Sequence, residues 1–150
     1  MHISTLIYTS RAATPVTMKS LKHLAEVSAR KNSLVGITGL LLFGSGNYFQ
    51  VLEGNQTGIR IVYERIRLDK RHTSCEVLFE QQVERRMFPE WHMGQLNLDN
   101  ADMGEKSDWE IVSTTLARSN SIDWQTDQPV MAWIREFVDH NGSGQSTSAA

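Results

Sequence analysis

The chain has 150 residues, of which 40% are hydrophobic and 21% charged, a composition typical of one globular domain with room for a short extension. Fifteen basic and seventeen acidic residues give a net charge of −2, which argues against nucleic acid or an anionic membrane as an obligatory partner. The longest apolar run is too short to span a bilayer, no signal-like segment begins the chain, and the lone Cys75 excludes an internal disulfide. We therefore expect a cytoplasmic protein.

A strand and a helix are predicted at the start of the chain. Residues 3–10 are rich in β-branched and aromatic side chains, which is typical of a strand, and Tyr8 lies on one of its two faces. After a short loop, Thr17 has the side chain of an N-cap residue. A helix is predicted from there to about Lys31.

The inward stripe of this first helix is apolar at its start and polar at its end. Residues at helical spacing form the stripe, and an amide follows one turn later: Leu21, Leu24, Ala25, Ser28 and then Asn32. Asn often ends a helix as its C-terminal cap, so this structural role alone explains an Asn at position 32, near the predicted end of the helix.

The next segment predicts a β-hairpin with one unexpected side chain. Two apolar runs, residues 37–43 and 48–52, flank the turn sequence Gly44-Ser45-Gly46-Asn47. Gln50 lies in the middle of the second run, on a face that is otherwise apolar. A buried amide without partners costs about 1–3 kcal/mol. Gln50 therefore lies near a sheet edge, bonds a neighbouring loop, or faces a bound polar ligand.

Helical spacing returns over residues 55–69, where four apolar side chains share one face. Arg65 and Asp69 stand four residues apart on an adjacent face, which by itself predicts a solvated ion pair worth about 0.3–0.5 kcal/mol. Arg71 and His72 follow just beyond the predicted end. The apolar face consists of Ile59, Val62, Tyr63 and Ile66.

Two further strands complete a recognisable order of elements. Residues 74–84 predict a strand, residues 85–89 a loop, and residues 91–98 a fifth strand with Trp91 and Met93 on one face. The order β-α-β-β-α-β-β indicates an α+β fold with a ferredoxin-like β-α-β-β-α-β core, a fifth strand, and both helices on one face of a mixed sheet. Fold alone does not fix function.

The chain changes character after Asp99. A weak amphipathic helix is predicted around residues 109–116, and a stronger one after Pro129. Two such helices do not fold alone, so they pack on the uncovered face of the sheet or on a partner. We expect a domain at residues 1–98, a helical extension at 99–140 and a disordered tail at 141–150.

Motifs for common enzyme chemistry are absent from the sequence. No Gly-rich phosphate loop precedes a helix. The five histidines do not form metal-ligand spacings with carboxylates, and no nucleophile elbow or Cys–His pair suggests acyl transfer. We therefore expect a binding or sensing protein rather than an enzyme, and no metal site.

Five spaced motifs together resemble the BLUF family, the blue-light sensors that use FAD. In chain order they are Leu6-Ile7-Tyr8-Thr9-Ser10, Gly36-Ile37-Thr38-Gly39-Leu40-Leu41, Phe49-Gln50-Val51-Leu52-Glu53-Gly54, Asp69-Lys70-Arg71-His72 and Phe88-Pro89-Glu90-Trp91-His92-Met93. The resemblance covers roughly residues 3–98. It implies a ferredoxin-like sheet with FAD held between its two helices, which agrees with the order of elements.

The resemblance also implies a role for each matching side chain. It assigns Tyr8 and Gln50 as the photoactive pair and Trp91 and Met93 as the signal relay, although ordinary packing also explains the latter two. At Lys31 the chain departs from the Asn or His of many relatives, and a lysine offers only hydrogen-bond donors. The implied cofactor-binding set is Leu24, Ser28, Lys31, Asn32, Gln50, Arg65, Ile66, Asp69, Arg71 and His72.

The resemblance implies a light sensor that signals to another protein. Light drives rotation or tautomerisation of the Gln50 amide, and the signal leaves through strand five and the C-terminal helices. No output segment is recognised after residue 98, so we expect a separate effector protein and a homo-oligomer. The alternatives are a light-independent flavin oxidoreductase or a ligand-binding ferredoxin-like domain. The latter does not account for Tyr8, Gln50 and Asn32 together.

Overall fold

A computed structural model describes residues 2–99 and 107–142 and shows an α+β fold. A five-stranded mixed sheet has the strand order β4-β1-β3-β2-β5, in which β5 is parallel to β2 and the other pairs are antiparallel. This is the predicted ferredoxin-like core with a fifth strand added. The elements are β1 (Ile3–Ala12), α1 (Met18–Leu34), β2 (Thr38–Gly44), β3 (Asn47–Gly54), α2 (Gln56–Leu68), β4 (His72–Val83), β5 (Gly94–Asn97), α3 (Asp108–Ala117) and α4 (Gln128–Asn141).

The central strand β3 carries Gln50. It pairs with β1 on one side and β2 on the other, and the register places Gln50 opposite Tyr8 and Leu41. The position near a sheet edge that the sequence left open for Gln50 is therefore wrong. The side chain is only 3% exposed, so its polar atoms need partners inside the protein.

Helix α1 begins as predicted and ends one turn later than predicted. The Thr17 side chain accepts a hydrogen bond from the Ser20 backbone, and Ser20 reciprocates in a capping box. The helix continues past Asn32 to Leu34, and Gly36 follows with a φ of +68°. Asn32 is thus buried within the last helical turn, and the prediction that it closes the helix is wrong.

The sheet separates two apolar layers. Alternate residues of each strand face opposite sides, so Ile7 and Phe49 enter one layer while Tyr8 and Gln50 face the other. Helices α1 and α2 cover the Tyr8 side. Helices α3 and α4 cover the opposite side through Val112, Leu116, Val130, Met131, Ile134, Phe137 and Val138.

The C-terminal helices lie on the face of the sheet that α1 and α2 leave uncovered, one of the two positions predicted. The end of α4 is also held by the β2–β3 turn. Ser45 Oγ donates to the Asn141 backbone carbonyl at 3.2 Å, and Asn47 Nδ2 donates to Asn141 Oδ1 at 2.8 Å. Asn141 is helical, whereas most of the predicted tail, residues 143–150, lies outside the described residues.

The fifth strand is shorter than predicted, and this changes the position of two site residues. Strand β5 begins at Gly94, so Trp91 and Met93 belong to the preceding β4–β5 loop, residues 84–93. Met93 packs in the layer under α1 and α2, whereas Trp91 packs against the layer under α3 and α4. The prediction that they share a face of one strand is therefore wrong.

No helix within residues 2–99 and 107–142 combines the length and the apolar character needed to cross a membrane.

A matched pair of isoleucines tests whether α4 belongs to the core. Ile134 on α4 is fully buried, and Ile61 on α2 is 46% exposed. We expect Ile134→Ala to lower the free energy of unfolding by about 2–5 kcal/mol, because it removes buried methylene groups and leaves a cavity. Ile61→Ala should cost about 0.5 kcal/mol, the ordinary limit for a surface substitution. Urea unfolding measures both, and similar small losses would show that α4 is not part of the core.

Candidate functional site

A cleft lies between α1 and α2 above the centre of the sheet. Its volume is about 590 Å³, including the solvent at its open mouth. The cleft is lined by Tyr8, Leu24, Val27, Ser28, Lys31, Asn32, Leu41, Gln50, Val62, Arg65, Ile66, Asp69, Arg71 and His72.

This lining brings together every predicted binding residue, and it contains three apolar residues that the sequence reasoning missed as site members. Val27 follows Leu24 by one turn on α1, and Val62 precedes Ile66 by one turn on α2, so helical periodicity is the signal for both. Leu41 lies directly opposite Gln50 in the β2–β3 register. The turn length of the hairpin is the signal for that third position.

Tyr8 and Gln50 form a hydrogen-bonded pair at the base of the cleft. Tyr8 Oη donates to Gln50 Oε1 across the β1–β3 pairing. Tyr8 is 1% exposed, and burial raises the pKa of its phenol well above the usual range. The Tyr63 ring packs edge-on at 5.5 Å from the Tyr8 ring. Tyr8 is therefore a protonated phenol whose proton is already directed at an amide oxygen.

The other half of the Gln50 amide reaches the β4–β5 loop. Gln50 Nε2 donates to Met93 Sδ at 3.0 Å. The amide thus connects a tyrosine on one side with a thioether on the other, using its acceptor for the first and its donor for the second. This contact confirms the possibility that Gln50 bonds a neighbouring loop.

Asn32 links the end of α1 to the same loop. The side chain is 1% exposed, and its Nδ2 donates to the His92 backbone carbonyl at 3.0 Å. Its backbone carbonyl accepts from the amides of Val35 and Ile37 at the helix end. Asn32 therefore presents a fixed amide at the inner end of the cleft, while Ser28 and Lys31 lie nearer its mouth.

Charged residues surround the opposite end of the cleft. Arg71 Nη2 lies 2.7 Å from Asp69 Oδ2, and hydrogen bonds from Arg71 lower the pKa of Asp69 to about 2. The sequence-based pairing of Asp69 with Arg65 is therefore wrong, because Asp69 follows the end of α2 and turns toward Arg71. Arg65 lines the cleft as an exposed cation.

His72 is the buried member of this end of the cleft. Its Nδ1 lies 2.9 Å from Ser10 Oγ, and its ring packs 4.7 Å from the ring of Tyr48. Burial lowers the pKa of His72, so the ring is neutral at neutral pH. A neutral ring offers one donor and one acceptor to its neighbours.

Trp91 lies on the other side of the sheet from the cleft. Its ring stacks on Phe88 with centroids 5.4 Å apart, and its backbone carbonyl accepts from the Gly39 amide at 2.8 Å. Met93, not Trp91, is thus the neighbour of Gln50. The two predicted relay residues contact opposite layers of the protein from one short loop.

Within residues 2–99 and 107–142, no group of three or more His, Cys, Asp or Glu side chains is arranged to hold a metal ion.

Comparison with protein families and curated proteins identifies similar sequences. A family model described as sensors of blue light using FAD matches residues 3–94. The chain is 34% identical over 97 residues to the photoactivated adenylate cyclase subunit alpha of Euglena gracilis, covering 63% of this chain and 10% of that protein. It is 32% identical over 137 residues to the blue light- and temperature-regulated antirepressor BluF of Escherichia coli (strain K12), covering 91% of this chain and 33% of the antirepressor.

Solved structures show the same architecture. The BLUF structure of BlrP1 superposes with a TM-score of 0.79 at 26% identity, covering 92% of this chain and 90% of that one. The chain spans about a tenth of the length of the cyclase subunit and nearly the whole of this BlrP1 structure.

Proposed function

The chain belongs to the BLUF family, the sensors of blue light using FAD, and on that premise we propose that its Tyr8–Gln50 pair converts light absorption into a rearranged hydrogen bond. One observation carries the proposal. A buried phenol donates to an amide whose other end holds Met93, so a change at Tyr8 is transmitted to the β4–β5 loop through one side chain.

The side chains that line the cleft suit FAD, the flavin of the family. Apolar side chains at one-turn spacing, Leu24 and Ile66 among them, supply walls for a flat ring system. The buried Asn32 amide suits the polar edge of such a ring. The cleft has three cationic side chains and one carboxylate, those of Lys31, Arg65, Arg71 and Asp69. This excess of positive charge suits the negatively charged phosphates of FAD.

Bound FAD supplies the blue-light absorption and, once excited, a strong oxidant. The protein supplies a donor whose electron and proton can leave together. Because Tyr8 Oη already donates to Gln50 Oε1, the phenolic proton has an acceptor in place when the Tyr8 side chain loses an electron. Tyr8 is 1% exposed and Gln50 is 3% exposed, so water does not compete with the Gln50 oxygen as the acceptor of this proton.

The electron and the proton then return to Tyr8, and reversal of the Gln50 amide remains as the stable record of this event. Rotation would turn the Gln50 N–H group away from Met93 and place the amide oxygen there. Tautomerisation would leave the nitrogen in place with one hydrogen fewer, so that its lone pair can face Met93 Sδ. In both cases the 3.0 Å hydrogen bond from Gln50 Nε2 to Met93 Sδ is lost.

The β4–β5 loop is our proposed route of output. Met93 touches the site, and Trp91, two residues earlier, packs with the layer that also holds α3 and α4. A displaced Met93 would move Trp91 and so shift the C-terminal helices. Relatives named as photoactivated adenylate cyclase and as an antirepressor are consistent with an effector that receives this shift. We propose such an effector, in a homo-oligomeric assembly, for this chain.

The first test is the absorption spectrum of the purified protein and two variants. We expect one non-covalent FAD per chain and a reversible red shift in blue light. Tyr8→Phe and Gln50→Ala should bind FAD and lose the red shift, since each removes one partner of the buried hydrogen bond. Tyr63→Phe, whose ring packs 5.5 Å from Tyr8, is the matched control and should keep it.

Two results would refute this assignment. A protein that releases no FAD on denaturation would contradict the cofactor, and a normal red shift in Tyr8→Phe or Gln50→Ala would contradict the pair.

The second test concerns the output route. We expect blue light to change hydrogen exchange in residues 108–117 and 128–141 of the wild type. Met93→Ala and Trp91→Ala should keep the red shift and abolish this change. Met93→Ala removes the contact of the loop with Gln50, and Trp91→Ala removes the contact of the loop with the layer that holds α3 and α4. Trp124→Ala, at a tryptophan that is 48% exposed, is the control and should respond as the wild type. Helices that respond normally in the Met93 and Trp91 variants would place the relay elsewhere.

A further inference from the structure

A buried carboxylate outside the proposed photochemistry holds the start of the β4–β5 loop. Glu53 is fully buried on β3, three residues beyond Gln50 and therefore on the opposite face of the sheet. Its carboxylate accepts hydrogen bonds from the backbone amides of Met87 and Phe88, the latter at 2.9 Å, and from Thr38 Oγ1 at 3.1 Å. Burial raises the pKa of Glu53, and the hydrogen bonds from Met87, Phe88 and Thr38 and the charge of Arg86 oppose that rise by stabilising the carboxylate.

Arg86 strengthens this attachment. One guanidinium nitrogen donates to Thr38 Oγ1 at 2.9 Å and to the Glu53 backbone carbonyl at 3.1 Å, and the other donates to the Gly36 carbonyl at 2.8 Å. The loop therefore leaves from a point fixed on strands β2 and β3.

The far end of the loop returns to the same two strands. The Gly39 amide donates to the Trp91 carbonyl at 2.8 Å, and Gln50 Nε2 donates to Met93 Sδ. Between the two ends, the Phe88 ring stacks on Trp91. Glu53 thus fixes the base of a short loop whose tip lies against Gln50.

This arrangement opposes the light-driven reversal of Gln50. After rotation the amide oxygen would face Met93 Sδ, and after tautomerisation a nitrogen lone pair would face it; in either case neither atom has a hydrogen to share. The contact is relieved only if the tip of the loop retreats. A loop fixed at its base resists that retreat and favours return of the amide to its original orientation.

We propose that Glu53 is a positioning residue that sets the lifetime of the light state by fixing the β4–β5 loop. The proposal rests on the proposed function, because it presupposes reversal of Gln50. Its effect passes through Met93 and not through direct contact with the cofactor.

Glu53→Gln tests this role with a side chain of the same shape. The amide keeps an acceptor for one backbone N–H but presents a donor to the other, which leaves a buried group unpaired. We expect normal FAD content and a normal red shift, with thermal recovery in the dark slower by about tenfold, the factor that ~1.4 kcal/mol gives in a rate. Glu80→Gln, the same change at an exposed carboxylate on β4, should recover at the wild-type rate.

A double variant separates positioning from a loss of stability. Met93→Ala should also slow recovery, since it removes the group that the reversed amide meets. Adding Glu53→Gln to Met93→Ala should then have no further effect, because both act through one contact. Wild-type recovery in Glu53→Gln, or effects that multiply in the double variant, would overturn the proposal. A wild type without any red shift would instead refute the proposed function.

If Glu53→Gln does not fold, hydrogen exchange in the wild-type protein tests the same proposal. The amides of Met87 and Phe88 should keep their dark protection in blue light, while the amide of Gly39, which donates to the Trp91 carbonyl at the far end of the loop, exchanges faster. Equal loss of protection at Met87, Phe88 and Gly39 would show that Glu53 does not hold the base of the loop.

Discussion

The hydrogen bonds of one buried amide, that of Gln50, connect the site to the rest of the protein. The amide lies at the centre of the sheet, where leaving either polar group unpaired costs about 1–3 kcal/mol. It accepts from Tyr8 on β1 and donates to Met93 in the β4–β5 loop. Strand register fixes the first contact, and the loop fixes the second. Any event that reverses the amide therefore changes the hydrogen bonds of both Tyr8 and Met93.

The position of β3 explains how such an event reaches the far side of the sheet. Alternate residues of this strand face the cleft and the C-terminal helices, so Gln50 and Glu53 act on opposite layers while sharing one backbone. The loop that both residues hold carries Met93 into one layer and Trp91 into the other. Because this one loop contacts both packed layers, the switch that we propose at Gln50 would act on both of them.

Sequence patterns predicted most of the fold, and together with the family resemblance they predicted nearly all of the residues that line the cleft. Apolar periodicity and turn residues predicted each strand and helix to within a few residues, and the motif resemblance selected Tyr8, Gln50 and Asn32. The missed features depend on hydrogen bonds that apolar periodicity does not predict. Strand β5 begins only at Gly94, and in the loop before it the Trp91 carbonyl accepts from the Gly39 amide, a contact between distant segments. Likewise Asp69 turns to Arg71 once α2 has ended, although its spacing from Arg65 suits a continuous helix.

The most direct measurement of the central claim observes the Gln50 side-chain amide itself. With nitrogen-15-labelled glutamine, NMR spectra of the FAD-bound protein follow the Gln50 Nε2 resonance, assigned by its loss in Gln50→Ala, in darkness and under continuous blue light. The account predicts that this resonance shifts in light and returns in darkness at the rate of the absorption change, and that it stays unchanged in Tyr8→Phe. A red shift in absorption with an unmoved Gln50 resonance would contradict it.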